Sequence, residues 1–307
     1  MAGENNLRIL SYNVNGLADH HKMKDVFDYL RKQKAHILML QETHFKTESQ
    51  NYVRAVWGFD CILNGNSTNS KGVGIFFSNK FHYKVHSVVR ANTGEYLIVD
   101  IEFLGKRFTL VNVYGPSDSD SPSFFRGLMD KIDEFPNENL VIGGDWNVVL
   151  DMKKDSFRYT GRSRPNARVV LHDMISSYDL VDVWRELHPN AKQYSWRRFN
   201  SMVQGRLDFF LVSDHLMPNI KSAVIGQSYR SDHKIVMLDF KVDGNKRQRS
   251  FWKFNNSLLR DKRYVEEVKQ VILDLKIQYG NLLYDRQNIN NVSNELFDFI
   301  INDQLFF

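Results

Sequence analysis

The sequence predicts an α/β protein in which two β-sheets pack face to face with helices outside. Three observations carry this. Short apolar runs alternate along the chain with stretches of helical periodicity. The strand-like runs are too numerous for one sheet of ordinary size. No repeat of ~20–50 residues is visible, which excludes a solenoid or propeller.

The elements follow in order. "LRILSYNV" reads as a first strand, and "KMKDVFDYLRKQ" as a helix with Met23, Val26, Phe27 and Leu30 on one face. "HILMLQE" is continuously apolar, the pattern of a strand covered on both sides. Further strands are read at "CILNG", "GVGIFFS", "YLIVDIEFL", "RFTLVNVYG", "NLVIGGDW", "RLDFFLVS" and "KIVMLDFKV". Helices are expected over 122–134, 165–178 and 254–279. Near residue 244, in "VDGNKRQRS", the apolar strand pattern gives way to a polar, basic stretch. Beyond the helix that ends at Gly280, the amphipathic "SNELFDFIINDQLFF" leaves an apolar face without an obvious partner, as expected of a piece of a longer polypeptide or of a docked or dimerising C-terminus.

The chain has 307 residues and one cysteine, Cys61, so no internal disulfide is available. No apolar run reaches bilayer length, and cytoplasm or nucleus is the expected compartment. The net charge of +5 is unevenly spread. Residues 153–168 carry a local +5, residues 192–206 +4 and residues 246–263 +6, which leaves the remainder at −10. Basic segments on an acidic body suit a polyanion, and the aromatics within them (Phe157, Tyr159, Tyr194, Trp196, Phe199) suit nucleic acid.

Polar residues cluster where strands end. Asn13 closes "ILSYN", Glu42 closes "ILMLQE" and Tyr114 closes "LVNVY". Asp145 and Asn147 follow two glycines in "LVIGGDWN", Asp208 lies inside "RLDFFL", and Asp232 and His233 precede "KIVML". Each is also an ordinary turn or strand-end residue, but in α/β sheets ligands gather at strand ends. The inventory of carboxylates, two amides, a phenol and one imidazole, with no thiol nucleophile, suits Mg²⁺, with Mn²⁺ as a substitute. Zinc is poorly supported, because there is no HExxH or Cys/His cluster, and no Walker-type or GxGxxG loop appears.

"SYNVNG", "LQETH", "VNVYGP", "GGDWNV", "RLDFFLVS" and "SDH", in this order from about residue 7 to 242, resemble the exonuclease–endonuclease–phosphatase superfamily. The resemblance implies a four-layer α/β sandwich, two mixed sheets flanked by helices, that cuts phosphodiesters with Mg²⁺. It implies Glu42 as principal metal ligand with Asn13 and Asp232 beside it, and Asp145 to align or deprotonate the attacking water. Asn147 and Tyr114 would donate to the scissile phosphate, and His233, its ring held by Asp208, would contact a phosphate oxygen.

Within that superfamily the chain looks like the endonuclease of a non-LTR, LINE-type retrotransposon. "LHPNAKQYSWRRFNSMVQGRLDFFLVS" is similar to that subfamily's run through a DNA-probing hairpin into the catalytic Asp strand. "FWKFNNSLLRDKRYVEEVK" is similar to the segment leading toward its reverse transcriptase. The resemblance implies an endonuclease domain over 1–244 and a helical linker over 245–307, which would lead to the reverse transcriptase and contact element RNA. Residues 197–204 would form the hairpin tip, and Ser195 would be a hydroxyl supporting the site. Ser195, Trp196, Arg197, Arg198, Arg158, Arg162 and Arg164 are expected to meet double-stranded DNA. The implied reaction nicks one strand and leaves a 3′-hydroxyl primer in the nucleus. Gln204-Gly205 stand where abasic-site repair enzymes commonly carry Trp before "RLD", which weakens that alternative. A non-catalytic nucleic-acid-binding module of the same fold is the other.

Overall fold

The structure, a computed structural model, describes residues 6–65, 71–79, 81–135, 139–159, 163–242 and 262–279. Strand β1 (Asn6–Asn13) leads through helix α1 (His20–Lys32) to β2 (Ile37–Gln41). Helix α2 (Gln50–Trp57), β3 (Cys61–Asn64), β4 (Val73–Phe77), β5 (Lys84–Arg90), β6 (Tyr96–Phe103) and β7 (Lys106–Tyr114) follow. Then come α3 (Pro122–Ile132), β8 (Leu140–Asp145), β9 (Ser156–Phe157), α4 (Pro165–Ser177), β10 (Leu180–Asp182) and α5 (Val183–Leu187). The last sheet elements are β11 (Trp196–Arg197), β12 (Gln204–Gly205), β13 (Asp208–Ser213), β14 (Ile220–Ile225) and β15 (Val236–Lys241), and α6 (Lys262–Tyr279) comes after them.

Two six-stranded sheets form, ordered β14-β15-β1-β2-β4-β3 and β10-β13-β8-β7-β6-β5. Each is mixed: β1 and β2 are parallel in the first, β7 and β8 in the second, and the other pairs are antiparallel. Strand alternation explains why the central runs are apolar throughout. In β1 and β2, Leu7, Ile9, Ile37 and Met39 face the inter-sheet core, while Leu10, Tyr12, Leu38 and Leu40 face α1 and α2. In β8, Val141 faces the same inter-sheet core and Ile142 packs with Phe125, Leu128, Val170 and Leu171 of α3 and α4. The result is the four-layer sandwich.

The chain divides into compact units at Met1–Phe251 and Trp252–Phe307. Of the expected helix over 254–279, the described part is α6; residues 254–261 and the amphipathic stretch 293–307 lie outside the described residues. Several short or exposed elements were not legible in the sequence, among them β5, β9, β10, β14, α2 and α5. β5 (KVHSVVR) and β14 (IKSAVI) are sheet edges with much exposed surface, so their polar content hides a strand period. Helix α2 is only eight residues long and buries just Val53 and Trp57.

The registers decide what meets at the carboxyl ends of the parallel strands. Tyr114 pairs with Asp145 across β7–β8, and Asp145 with Asp208 across β8–β13. The two glycines before Asp145 let backbone and core come close. A Cβ on Gly143 would meet the Phe210 ring at 2.3 Å, and one on Gly144 the Val113 carbonyl at 2.0 Å.

Candidate active site

The same end of the sandwich gathers Asn13, Glu42, Tyr114, Asp145, Asn147, Asp208 and His233. His233, in the turn before β15, is buried and places Nδ1 2.8 Å from Asp208 Oδ2. Its Nε2 lies 3.7 Å from Asp145 Oδ2. Burial opposes charge on the ring, but Asp208 and Asp145 outweigh it and push its pKa up to about 10. Asp145 is pushed up to about 7, chiefly by burial; His233 pulls it down, while Asp208 adds to the rise. At neutral pH the geometry therefore holds an imidazolium between two carboxylates, and one of them is poised near neutrality to take a proton.

Asp145 is further fixed by Asn13 Nδ2, which donates at 2.9 Å, and by Asn147, whose backbone N–H donates at 2.9 Å to Oδ1. Asn147 has φ 53°, a left-handed conformation that Asn tolerates. Its Nδ2 donates to the Gly115 carbonyl and to Asp145. Tyr114 is buried, and burial, with the charges of Glu42 and Asp145, drives its pKa far up, so its phenol remains an O–H donor.

Glu42 lies directly after β2 with φ 52° and accepts from Asn13 Nδ2 at 3.1 Å. One amide thus spans Glu42 and Asp145. Asn13 Oδ1 accepts the Asn15 backbone N–H at 3.0 Å, which fixes the amide with nitrogen toward the carboxylates. Asn13, expected beside the metal, bridges the two carboxylates in this arrangement. Asp232 is exposed, held by Trp196 Nε1 at 2.8 Å and Asn15 Nδ2 at 3.3 Å. The Lys22 ammonium, on the Asn15 carbonyl at 2.5 Å, has its pKa lowered by burial while both Glu42 and Asp232 oppose that shift.

By distance alone, Asp145, Asp208 and His233 could hold a divalent ion, since their ligand atoms lie within 4.8 Å of one another. An ion there would have to take the place of the imidazole proton and compete with the Asp208 contact to Nδ1. The Glu42 and Asp232 side offers accessible carboxylate oxygens, the donor chemistry that a hard cation such as Mg²⁺ takes. The residues present therefore fit a hard divalent cation.

The expected DNA-facing residues divide. Arg158, Arg197 and Arg198 are exposed, and Arg158 stands over the Phe157 ring, 5.5 Å from its centroid. Trp196 is half-buried. Ser195 departs from the DNA-facing expectation and keeps the supporting one: it is fully buried, and its Oγ accepts the N–H groups of Leu207 and Asp208 at 2.9 Å each, so it braces the Asp208 strand and does not face DNA. Arg164 is likewise buried, donating to the Ser117 carbonyl, and presents no charge to a groove. Arg162 lies outside the described residues.

Several site residues escaped sequence reasoning. Arg206 is buried between Asp155 and Asp182 with bonds of 2.6–3.0 Å to both, tying the basic loop to the foot of β13. Below the site, Gln41 Nε2 donates to Asn112 Oδ1 at 2.7 Å, and Asn112 donates back to the Leu40 and Gly74 carbonyls, so polar contacts join the two sheets. Ser231 donates to the Asn13 carbonyl at 2.7 Å, linking the His233 turn to β1. The isolated Asn112 inside an apolar strand was the readable signal, because a buried amide must find partners.

The chain is similar to several known proteins. The transposon TX1 uncharacterized 149 kDa protein of Xenopus laevis is 32% identical over 269 residues, 86% of this chain and 20% of that protein. This chain therefore spans about a fifth of that relative's length. An exodeoxyribonuclease of Bacillus subtilis (strain 168) is 22% identical over 77% of this chain and 100% of its own. In fold, an AP endonuclease from Leishmania major superposes with TM-score 0.64 at 18% identity, covering 78% of this chain and 88% of that one. An AP endonuclease from Archaeoglobus fulgidus gives 0.61 at 19% identity, covering 77% and 100%. Residues 10–233, from the β1 strand to the buried imidazole, match the Endonuclease/Exonuclease/phosphatase family, and the chain belongs to it.

Proposed function

We propose that this chain is the Mg²⁺-dependent endonuclease of a non-LTR retrotransposon polyprotein. It would nick one strand of duplex DNA in the nucleus and leave a 3′-hydroxyl to prime reverse transcription. The observation that carries the phosphodiesterase reading is the Asp208–His233–Asp145 chain of buried charges, lined up with Tyr114 and Glu42 at one sheet end. Likeness to a transposon protein over most of this chain favours the mobile-element assignment over repair. So does Gly205, which packs against Tyr159 where a repair enzyme would carry Trp.

In this mechanism Asp145 accepts a proton from water as the water oxygen attacks phosphorus, a task suited to a carboxylate titrating near neutrality. The P–O bond to the 3′-oxygen breaks, and that oxygen leaves with the bonding pair and becomes the hydroxyl by taking a proton from solvent water. The imidazolium of His233 and the phenol of Tyr114 donate to non-bridging oxygens as their charge grows. Asp208 keeps the ring oriented and charged. Glu42 and Asp232 would hold Mg²⁺, which supplies a counter-charge for the phosphate and leaving oxygen. Residues 1–244 would act as the nuclease and 245–307 as a linker toward a downstream polymerase and the element's RNA.

The test is nicking of supercoiled plasmid with Mg²⁺, with Mn²⁺ and with EDTA, beside a comparison of abasic and intact AT-rich duplexes. Metal-dependent nicks ending in 3′-hydroxyl on intact DNA support the proposal. A strict requirement for abasic sites would assign the chain to repair, and no cleavage with any divalent metal would make it a binding module.

A further inference from the structure

Trp196 opens the hairpin that carries Arg197 and Arg198 on exposed surface, and a ring there invites the reading of a base-stacking platform. The structure gives its indole a different partner. Nε1 donates 2.8 Å to Asp232 Oδ2, while Asn15 Nδ2 donates 3.3 Å to the other oxygen. Asp232 is exposed and would otherwise rotate freely in water. Two donors from separate elements, one on each oxygen, fix the carboxylate.

The attachment is broader than one bond. Trp196 and His233 form a β-bridge, the Arg197 N–H donates to the Asp232 carbonyl at 3.3 Å, and the Lys234 N–H donates to the Ser195 carbonyl at 2.7 Å. The indole also packs edge-on against Tyr159 at 5.9 Å between centroids and lies 6.5 Å from the His233 ring. A phenyl ring would satisfy that packing. What only the indole supplies is the N–H.

We infer that Trp196 is a positioning residue for the metal site: its indole N–H sets the Asp232 carboxylate, so the root of the DNA-facing hairpin and the metal-side acid move as one unit. This rests on the reading of Asp232 as a Mg²⁺-side residue, and the experiment separates the two.

Trp196→Phe keeps a ring in place and deletes the donor. Mg²⁺ affinity of the DNA-free chain is measured by calorimetry for wild type, Trp196→Phe, Asp232→Asn and the double variant. Duplex binding is measured in EDTA, and nicking is titrated against Mg²⁺. The expected result is Mg²⁺ affinity weakened about tenfold in Trp196→Phe, the order seen when an outer hydrogen-bond partner of a ligand is lost. Nicking should recover at high Mg²⁺, and DNA affinity in EDTA should be unchanged. In the Asp232→Asn background the Trp196→Phe change should cost nothing further, since both act through one carboxylate. Unaltered Mg²⁺ affinity in Trp196→Phe, or a loss that adds to that of Asp232→Asn, would overturn the inference. So would a fall in DNA binding in EDTA without a change in metal affinity, which would mark the ring as a DNA contact. A wild-type chain that takes up no Mg²⁺ would overturn the metal reading itself.

Discussion

His233 and Asp208 face each other across 2.8 Å in a buried site, twenty-five residues apart in sequence, one in the turn before β15 and the other at the start of β13. The contact fixes which ring nitrogen points at Asp145 and keeps the ring charged. His233→Ala is expected to lower plasmid nicking at least about a hundredfold, the scale of losing a donor that stabilises developing charge. Asp208→Asn, which preserves shape but not charge, should lower the rate with little change in DNA affinity. Near wild-type rates in His233→Ala would remove the imidazole from the mechanism.

The two perturbed groups set a pH profile. Asp145 must be ionised to take a proton, so the rate should fall below about pH 7; His233 must be charged, so it should fall above about pH 10. The sign for stability follows separately. An imidazole whose pKa rises from about 6.5 unfolded to about 10 folded contributes stability that is whole below pH 6.5 and lost as pH climbs toward 10. Asp145, also raised, acts with the same sign between about pH 3.8 and 7. Urea unfolding in EDTA should therefore show stability declining from pH 6.5 to 10, and His233→Asn should flatten that decline.

Arg206 lies between Asp155 and Asp182, all three with little or no solvent access to their charged ends. Truncating Arg206 takes the guanidinium from Asp182 and leaves Asp155 with Arg185 alone. Arg206→Ala should cost about 3–5 kcal/mol of unfolding free energy, the usual penalty for breaking a buried ion pair. Denaturant melts would report it, and a loss below about 1 kcal/mol would show that the network is solvated.

The hairpin between β11 and β12 turns through Phe199, 84% exposed, with Arg197 and Arg198 exposed beside it. Exchanging residues 197–204 should change the mapped cut sites while leaving the rate at the best site largely intact. Replacing Arg158, Arg197 and Arg198 together by Ala should make the slope of log affinity against log salt shallower by about 3, roughly one per lost phosphate contact. An unchanged cut-site pattern after the exchange would place specificity elsewhere.

Much of the site was legible because its residues interrupt strand patterns at their ends. Asn13, Glu42, Tyr114 and Asp145 each follow an apolar run, and each ends or follows a central strand at the same edge of the sandwich. The DNA-facing assignments fared unevenly, since a basic loop composition does not say which arginine is turned inward. Arg158 and Arg164 belong to one loop and look alike in sequence, yet one is exposed over Phe157 and the other is buried against the Ser117 carbonyl. Ser195 and Trp196 adjoin, and their alternation sends one side chain into the Asp208 strand and the other to Asp232.

The sequence by itself determined the long central strands, their two-faced burial and the chemistry of the polar residues that end them. Periodicity along one strand reports which faces are covered, and it needs no knowledge of neighbours. Only the tertiary structure decided which of those residues meet. The pairing of Asp145 with Tyr114 on one side and Asp208 on the other, and of Trp196 with His233, depends on register between segments distant in the chain. Register is set by the packing of both sheets together, so no single stretch encodes it.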